Sequence, residues 1–143
     1  TLEHVYDPTQ NFRQAYRVLR PGGFLILSVP VMRSLLRQWF GLHWAEWDLP
    51  RHMYIFSQQT IEGFLQKTGF NLQAVRSLSS EYRVFRMSLE SWAGEHISSE
   101  RVCRAIGALL RFLPVQLLGA FALRAAVPAQ RNSVLVFVCQ KRW

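Results

Sequence analysis

The sequence predicts an α/β fold, and three stretches carry that prediction. The first is Arg17 to Pro30, RVLRPGGFLILSVP, which reads as the last turn of a helix, a tight turn and a strand. Pro21 cannot continue a helix, because it lacks an N–H and its ring clashes one turn back. Gly22 and Gly23 supply positive φ without steric cost, so the chain can reverse there. Phe24 to Leu27 is then unbroken apolar sequence, the pattern of a strand covered on both faces by helices. The second stretch is Phe70 to Ser77, where Phe70, Leu72 and Ala74 alternate directly after a helical repeat. The third, Val134 to Gln140, holds another apolar run, Val134 to Cys139, that again reads as buried on both sides.

The elements follow in order. Asp7 is a good N-cap and Pro8 suits the first helical position. Phe12, Ala15, Tyr16 and Leu19 then fall on one stripe, which predicts a helix over Pro8–Leu19. After Pro30, Met32–Phe40 reads as a short helix. Next comes GLHWAEWDLPRHMYIF, an aromatic-rich loop in which Trp44, Trp47 and Tyr54 accompany Asp48, Arg51 and His52. That loop is either a substrate-facing lid over the strand ends or an apolar cluster pinning a long connection. His43 and His96 have no identifiable partners. Ser57 caps a helix over Ser57–Thr68, which Gly69 ends; Gly63 inside it points to close packing there. Ser80 is placed to cap a helix over Tyr82–Trp92. A further helix, Arg101–Leu113, carries Val102, Ile106, Leu109 and Leu110 on one side and Arg101, Arg104 and Arg111 opposite. Pro114 breaks it, and Val115 to Val127 is apolar nearly all round.

Three of these pieces occur in a recognisable order. LEHVYDP, the helix leading to RVLRPGGFLILSVP, and RHMYIFSQQTIEGFLQKTGF together resemble the second half of a class I S-adenosylmethionine-dependent methyltransferase of ubiquinone-biosynthesis type. The pieces span Leu2 to Phe70, and the strand order suits the resemblance through to Trp143. The resemblance implies a Rossmann-like sheet: the end of a fourth strand at Leu2–Val5, the fifth and sixth strands, and a last strand inserted antiparallel between those two. Between the last two strands this chain itself carries a helical insert over about 80–128. The resemblance also implies that the glycine-rich loop and the ribose-binding acid of such enzymes lie upstream of Thr1. One departure is Val31, where the family often has Asn. With no initiating Met, residues 1–143 are expected to be the C-terminal part of one domain.

Composition bounds the partners. Half of the 143 residues are hydrophobic and 18% are charged, ordinary values for a globular domain. No apolar run approaches the roughly 20 residues needed to span a bilayer. Cys103 and Cys139 lack metal-ligand spacing and read as reduced thiols, so no metal site is expected. The net charge of +8 is uneven, with ten basic against four acidic residues from Arg76 onward. A basic half fits anionic lipid or substrate. Nucleic acid is disfavoured, because no recognition helix or RNA-binding motif accompanies the charge.

The resemblance implies methyl transfer to a small-molecule or lipid-linked acceptor, with S-adenosylmethionine as cofactor held mostly by upstream strands. Glu3 and His4 would lie at the lip of the cofactor cleft. His52 is the candidate base, because imidazole exchanges protons near neutral pH. Trp44, Trp47, Arg51 and Tyr54 are the candidate substrate-facing residues. The competing expectation is a non-catalytic membrane-peripheral or protein-interaction module, with residues 101–127 as an interfacial anchor. The expected setting is cytoplasmic, with membrane contact through that anchor.

Overall fold

The apolar run at the C-terminal end of the chain becomes the centre of the sheet. The computed structural model describes residues 2–77 and 81–143. Its sheet has the order β1 (Phe24–Pro30), β3 (Val134–Lys141), β2 (Phe70–Ser77), and β3 runs antiparallel to both neighbours. Phe24 stands opposite Gln140 and Pro30 opposite Val134. The predicted strand positions and the inserted antiparallel strand are therefore present.

Helices α1 (Pro8–Val18) and α3 (Gln58–Thr68) cover one face. Their predicted caps form: Asp7 Oδ1 accepts from Gln10 N at 3.0 Å, and Ser57 Oγ accepts from Thr60 N at 3.0 Å. Phe12, Ile61, Leu65, Phe70, Leu135 and Phe137 make the main core beneath them. Cys139 belongs to it as well, and burial pushes its thiol up to about 11, which leaves it unreactive.

Several expectations are corrected. Phe24 and Ile26 are 56% and 65% exposed, so β1 is buried on one face only. No described helix lies across that second face, and the later helices gather at the end of the sheet instead. Val136 and Val138 of β3 are correspondingly half-buried. Leu2–His4 is a single 3-10 turn rather than a strand end, since no described strand pairs with it. At the turn before β1 only Gly22 takes positive φ, +73°; Gly23 is required for space, because a Cβ there would meet the Arg20 carbonyl at 2.8 Å. A register shift between Leu72 and Ala74 changes the parity of β2, so that Val75, not Ala74, packs on the core. Gly63 faces open space, contrary to the close packing expected.

The remaining helices are α2 (Leu35–Phe40), α4 (Glu81–His96), α5 (Glu100–Arg111) and α6 (Leu113–Ala126). The proposed cap Ser80 lies outside the described residues. Pro114 sits in the first turn of α6, and the break falls two residues earlier, at Phe112. A second core forms here from Leu36, Trp44, Val84, Leu123 and Val127.

One buried hydroxyl ties this second core to the sheet. Ser133 Oγ donates to Glu81 Oε2 at 3.1 Å and accepts from Trp44 Nε1–H at 3.2 Å and from Ser34 Oγ at 2.9 Å. The Ser133 N–H goes to the other Glu81 oxygen. One donor and two acceptor sites are thus filled, which is the full capacity of a hydroxyl.

Candidate active site

A tight turn after the aromatic loop gathers the chemistry. Asp48 takes a left-handed conformation, φ 36°, which Asp tolerates better than most residues. Its carbonyl accepts from Arg51 N at 2.8 Å and His52 N at 3.1 Å. Asp48, Arg51 and His52 consequently project from one turn. Two bonds fasten that turn to the N-terminal 3-10 turn: Met53 N donates to Glu3 O at 2.9 Å, and His4 Nδ1 donates to Arg51 O at 2.8 Å. Beyond it, Val31 bridges to Phe56, which holds the loop against the C-terminal end of β1.

The result is a cleft of about 240 Å³ lined by Glu3, Glu46, Asp48, Arg51, His52 and Arg83, with Ser28 and Pro30 of β1 as its floor. His52 is buried, and its Nδ1 lies 2.7 Å from the Glu46 carbonyl. A carbonyl can only accept, so Nδ1 carries a proton, and in the neutral form of the ring the lone pair is on Nε2. That Nε2 lies 4.0 Å from Glu3 Oε1 and 3.9 Å from Asp48 Oδ2. His4 Nε2 lies 3.5 Å from Glu3 Oε1, and the two imidazoles are 4.8 Å apart. Glu3, His4 and His52 each offer a ligand-type atom within 4.8 Å of the others, so they could also hold a cation.

The carboxylates differ in environment. Arg51 Nη2 meets Asp48 at 2.6 and 2.8 Å, and this hydrogen-bonded pair holds the Asp48 carboxyl below its ordinary range. Burial raises the Glu46 carboxyl above its ordinary 4.5, against the opposing pull of Arg83 at 3.5 Å. Burial likewise raises Glu81, against its two bonds from Ser133. A carboxyl with a raised folded pKa binds more protons folded than unfolded, so stability falls as pH rises through that window. The unfolding free energy should therefore decline as pH climbs from about 4.5 toward the raised values. Glu46→Gln should flatten that decline in denaturant titrations taken at successive pH values; an unchanged profile would count against burial of that charge.

The structure brings Glu3, His4, Arg51 and His52 together and leaves the three aromatic candidates elsewhere. Trp44 is 1% exposed in the second core, so it anchors the loop and cannot face an acceptor. Trp47 donates Nε1–H to Gly41 O at 2.9 Å and packs edge-on against Trp44. Tyr54 donates to Tyr6 O at 3.0 Å and stacks on Phe56. Sequence reasoning missed Glu46 and Arg83, whose signal was only a charge in a loop and another on a helix. It also left His43 and His96 without partners; His43 sits 3.5 Å from Glu95, and His96 stacks on Trp92. No residue of α5 or α6 lines the cleft; α4 contributes instead, through Arg83 and Met87.

Comparison with known proteins places this architecture. A family described as a methyltransferase domain matches residues 1–75. No curated protein matches the chain. Among solved structures, the [4+2]-cyclase SpnF is 19% identical at a TM-score of 0.52, covering 99% of this chain and 47% of its own. The phosphoethanolamine N-methyltransferase 2 of Haemonchus contortus, bound to phosphomonomethylethanolamine and S-adenosylhomocysteine, is 16% identical at 0.51, covering 99% and 32%. The mycolic acid cyclopropane synthase CmaA1, complexed with S-adenosylhomocysteine, is 20% identical at 0.50, covering 98% and 52%. The chain thus spans about half the length of these structures or less, and at such identities they speak to the fold.

Proposed function

Since this chain belongs to the methyltransferase domain family, we propose that its cleft is the acceptor side of an S-adenosylmethionine-dependent methyl-transfer site. The observation that carries the reading is the His52 tautomer, fixed by the Glu46 carbonyl over a cleft at the C-terminal end of β1. Ligands of open α/β sheets bind at such strand ends.

The residues suit one end of the cofactor. A cleft of about 240 Å³ is smaller than the ~300–1,000 Å³ of pockets that enclose a drug-sized ligand. Glu3 and His4 would border the reacting end, and the rest of the cofactor would be held by chain N-terminal to Thr1 in a longer protein. The exposed apolar side chains Phe24 and Ile26 support this, as does a groove of about 440 Å³ along β1 and α1 lined by Leu2, Val5, Phe12 and Leu25.

When bound, the cofactor supplies a methyl group on a sulfonium, an already activated leaving group. His52 Nε2 takes the proton from an acceptor hydroxyl or amine as the acceptor atom bonds to the methyl carbon. The chemistry the cofactor would supply is that of its sulfonium leaving group, which would keep the carbon–sulfur electron pair. Glu3 and Asp48, whose carboxylate oxygens lie 4.0 and 3.9 Å from Nε2, stabilise the imidazolium. The acceptor is a small or lipid-linked molecule.

Calorimetric titration with S-adenosylmethionine tests this division. The expected result is one-to-one binding by the longer protein and none by the 143-residue chain. Micromolar one-to-one binding to the isolated chain would overturn the shared site. Absence of binding to both would overturn the methyl-transfer reading and leave a non-catalytic module.

A further inference from the structure

The α5–α6 pair carries an exposed apolar crest. Leu109, Phe112, Leu113, Leu117, Leu118 and Phe121 are between 59% and 75% exposed. On α6, Leu113, Leu117 and Phe121 recur every four residues and so share one face, with Arg124 the next side chain along it. On α5, the packed side is Cys103, Ile106, Gly107 and Leu110. The outward side splits into an apolar strip through Val102 and Leu109 and a basic strip through Arg101, Arg104 and Arg111. No single described helix is long and apolar enough to cross a membrane; α5 and α6 reach that length and apolarity only as a pair, and the pair is bent by 75°. An L-shaped, half-apolar and half-basic surface of this kind lies along an interface rather than across it.

We propose that this crest docks on the surface of an anionic lipid bilayer. Charge selects that occupant. Residues 100–127 hold four arginines and one glutamate. Arg101 and Arg124 enter no ion pair among the described residues, while Arg104 and Arg111 reach Glu100 at 3.9 Å and Glu90 at 3.0 Å. A second copy would bring two such positive surfaces together, whereas an anionic headgroup layer neutralises them. The apolar side chains enter the acyl boundary, and the guanidinium groups stay at headgroup level on their own alkyl stems. The surface stands apart from the His52 cleft, so its test is independent of the methyl-transfer reading.

Co-sedimentation of the 143-residue chain with phosphatidylcholine vesicles, and with vesicles also containing phosphatidylserine, is the experiment. Binding should require phosphatidylserine and fall with added salt. Each arginine is worth about fivefold, the equivalent of roughly 1 kcal/mol near an anionic surface. The double variant Arg101→Ala, Arg124→Ala should therefore weaken binding about 25-fold. Leu117→Ser with Phe121→Ser should abolish it while leaving the circular dichroism spectrum unchanged, because both side chains are exposed. Failure to bind phosphatidylserine vesicles at low salt would overturn the proposal. So would undiminished binding by the Leu117, Phe121 variant, or self-association of the chain that vesicles do not compete with.

Discussion

Trp44→Ala should lower the unfolding free energy by about 3–5 kcal/mol, the range for deleting a large aromatic side chain from a packed core. Trp44 is 1% exposed and packs with Leu36, Val84, Leu123 and Val127. Its indole N–H also fills one acceptor site of Ser133, a residue that itself holds Glu81 at the start of α4. Little of the void can close, because the surrounding groups belong to three separate helices, α2, α4 and the end of α6. Trp44→Phe separates the two contributions. It keeps most of the volume and removes the donor, and it should cost nearer 1 kcal/mol beyond its small cavity, since Ser133 keeps its bonds to Ser34 and Glu81. Denaturant unfolding of the three proteins decides the matter. A loss of under about 0.5 kcal/mol for the alanine variant, the usual scale for surface positions, would return Trp44 to the acceptor-facing role read from the sequence.

His52→Gln should reduce turnover about a hundredfold or more in the longer protein, the usual contribution of a positioned base and roughly 2.7 kcal/mol of barrier. The glutamine amide can still donate to the Glu46 carbonyl that His52 Nδ1 meets at 2.7 Å, so the loop should keep its path. It cannot take a proton. The loss should consequently appear in kcat, with the dissociation constant for S-adenosylmethionine little changed. Tighter or weaker donor binding at unaltered kcat would make His52 a wall of the cleft. Near-normal kcat at saturating acceptor would remove it from the chemistry altogether.

Much of the fold was legible because it depends on near neighbours. Asp7, Ser57 and Gly69 cap helices through atoms three or four residues away, and Pro21 stops a helix through its own ring. Strand positions were legible from apolar runs. The sidedness of those strands was not, because an apolar run states what a residue prefers to contact and not whether a helix is there to meet it. Ile26 and Phe137 look alike in sequence; one is 65% exposed and the other fully buried. The site divides in the same way. His52, Glu3, His4 and Arg51 were named from residue type and from the motifs around them. Trp44, Trp47 and Tyr54 were read as substrate-facing on the same grounds; packing buries Trp44, and neither Trp47 nor Tyr54 lines the cleft.

What the sequence determined by itself is the order of elements, the capped starts of α1 and α3, and the family resemblance carried by Leu2 to Phe70. What only the tertiary structure decided is which distant groups meet. His4 reaches Arg51 across 47 residues, and Ser133 reaches Glu81 across 52. The tautomer of His52 depends on the carbonyl that happens to face it, and the raised carboxyls of Glu46 and Glu81 depend on burial. The physical reason is range. Caps, turns and helical stripes are set by steric and hydrogen-bonding terms within a few residues. Proton affinity, burial and cleft shape are set by whatever the folded chain places within a few ångströms, at any separation along it.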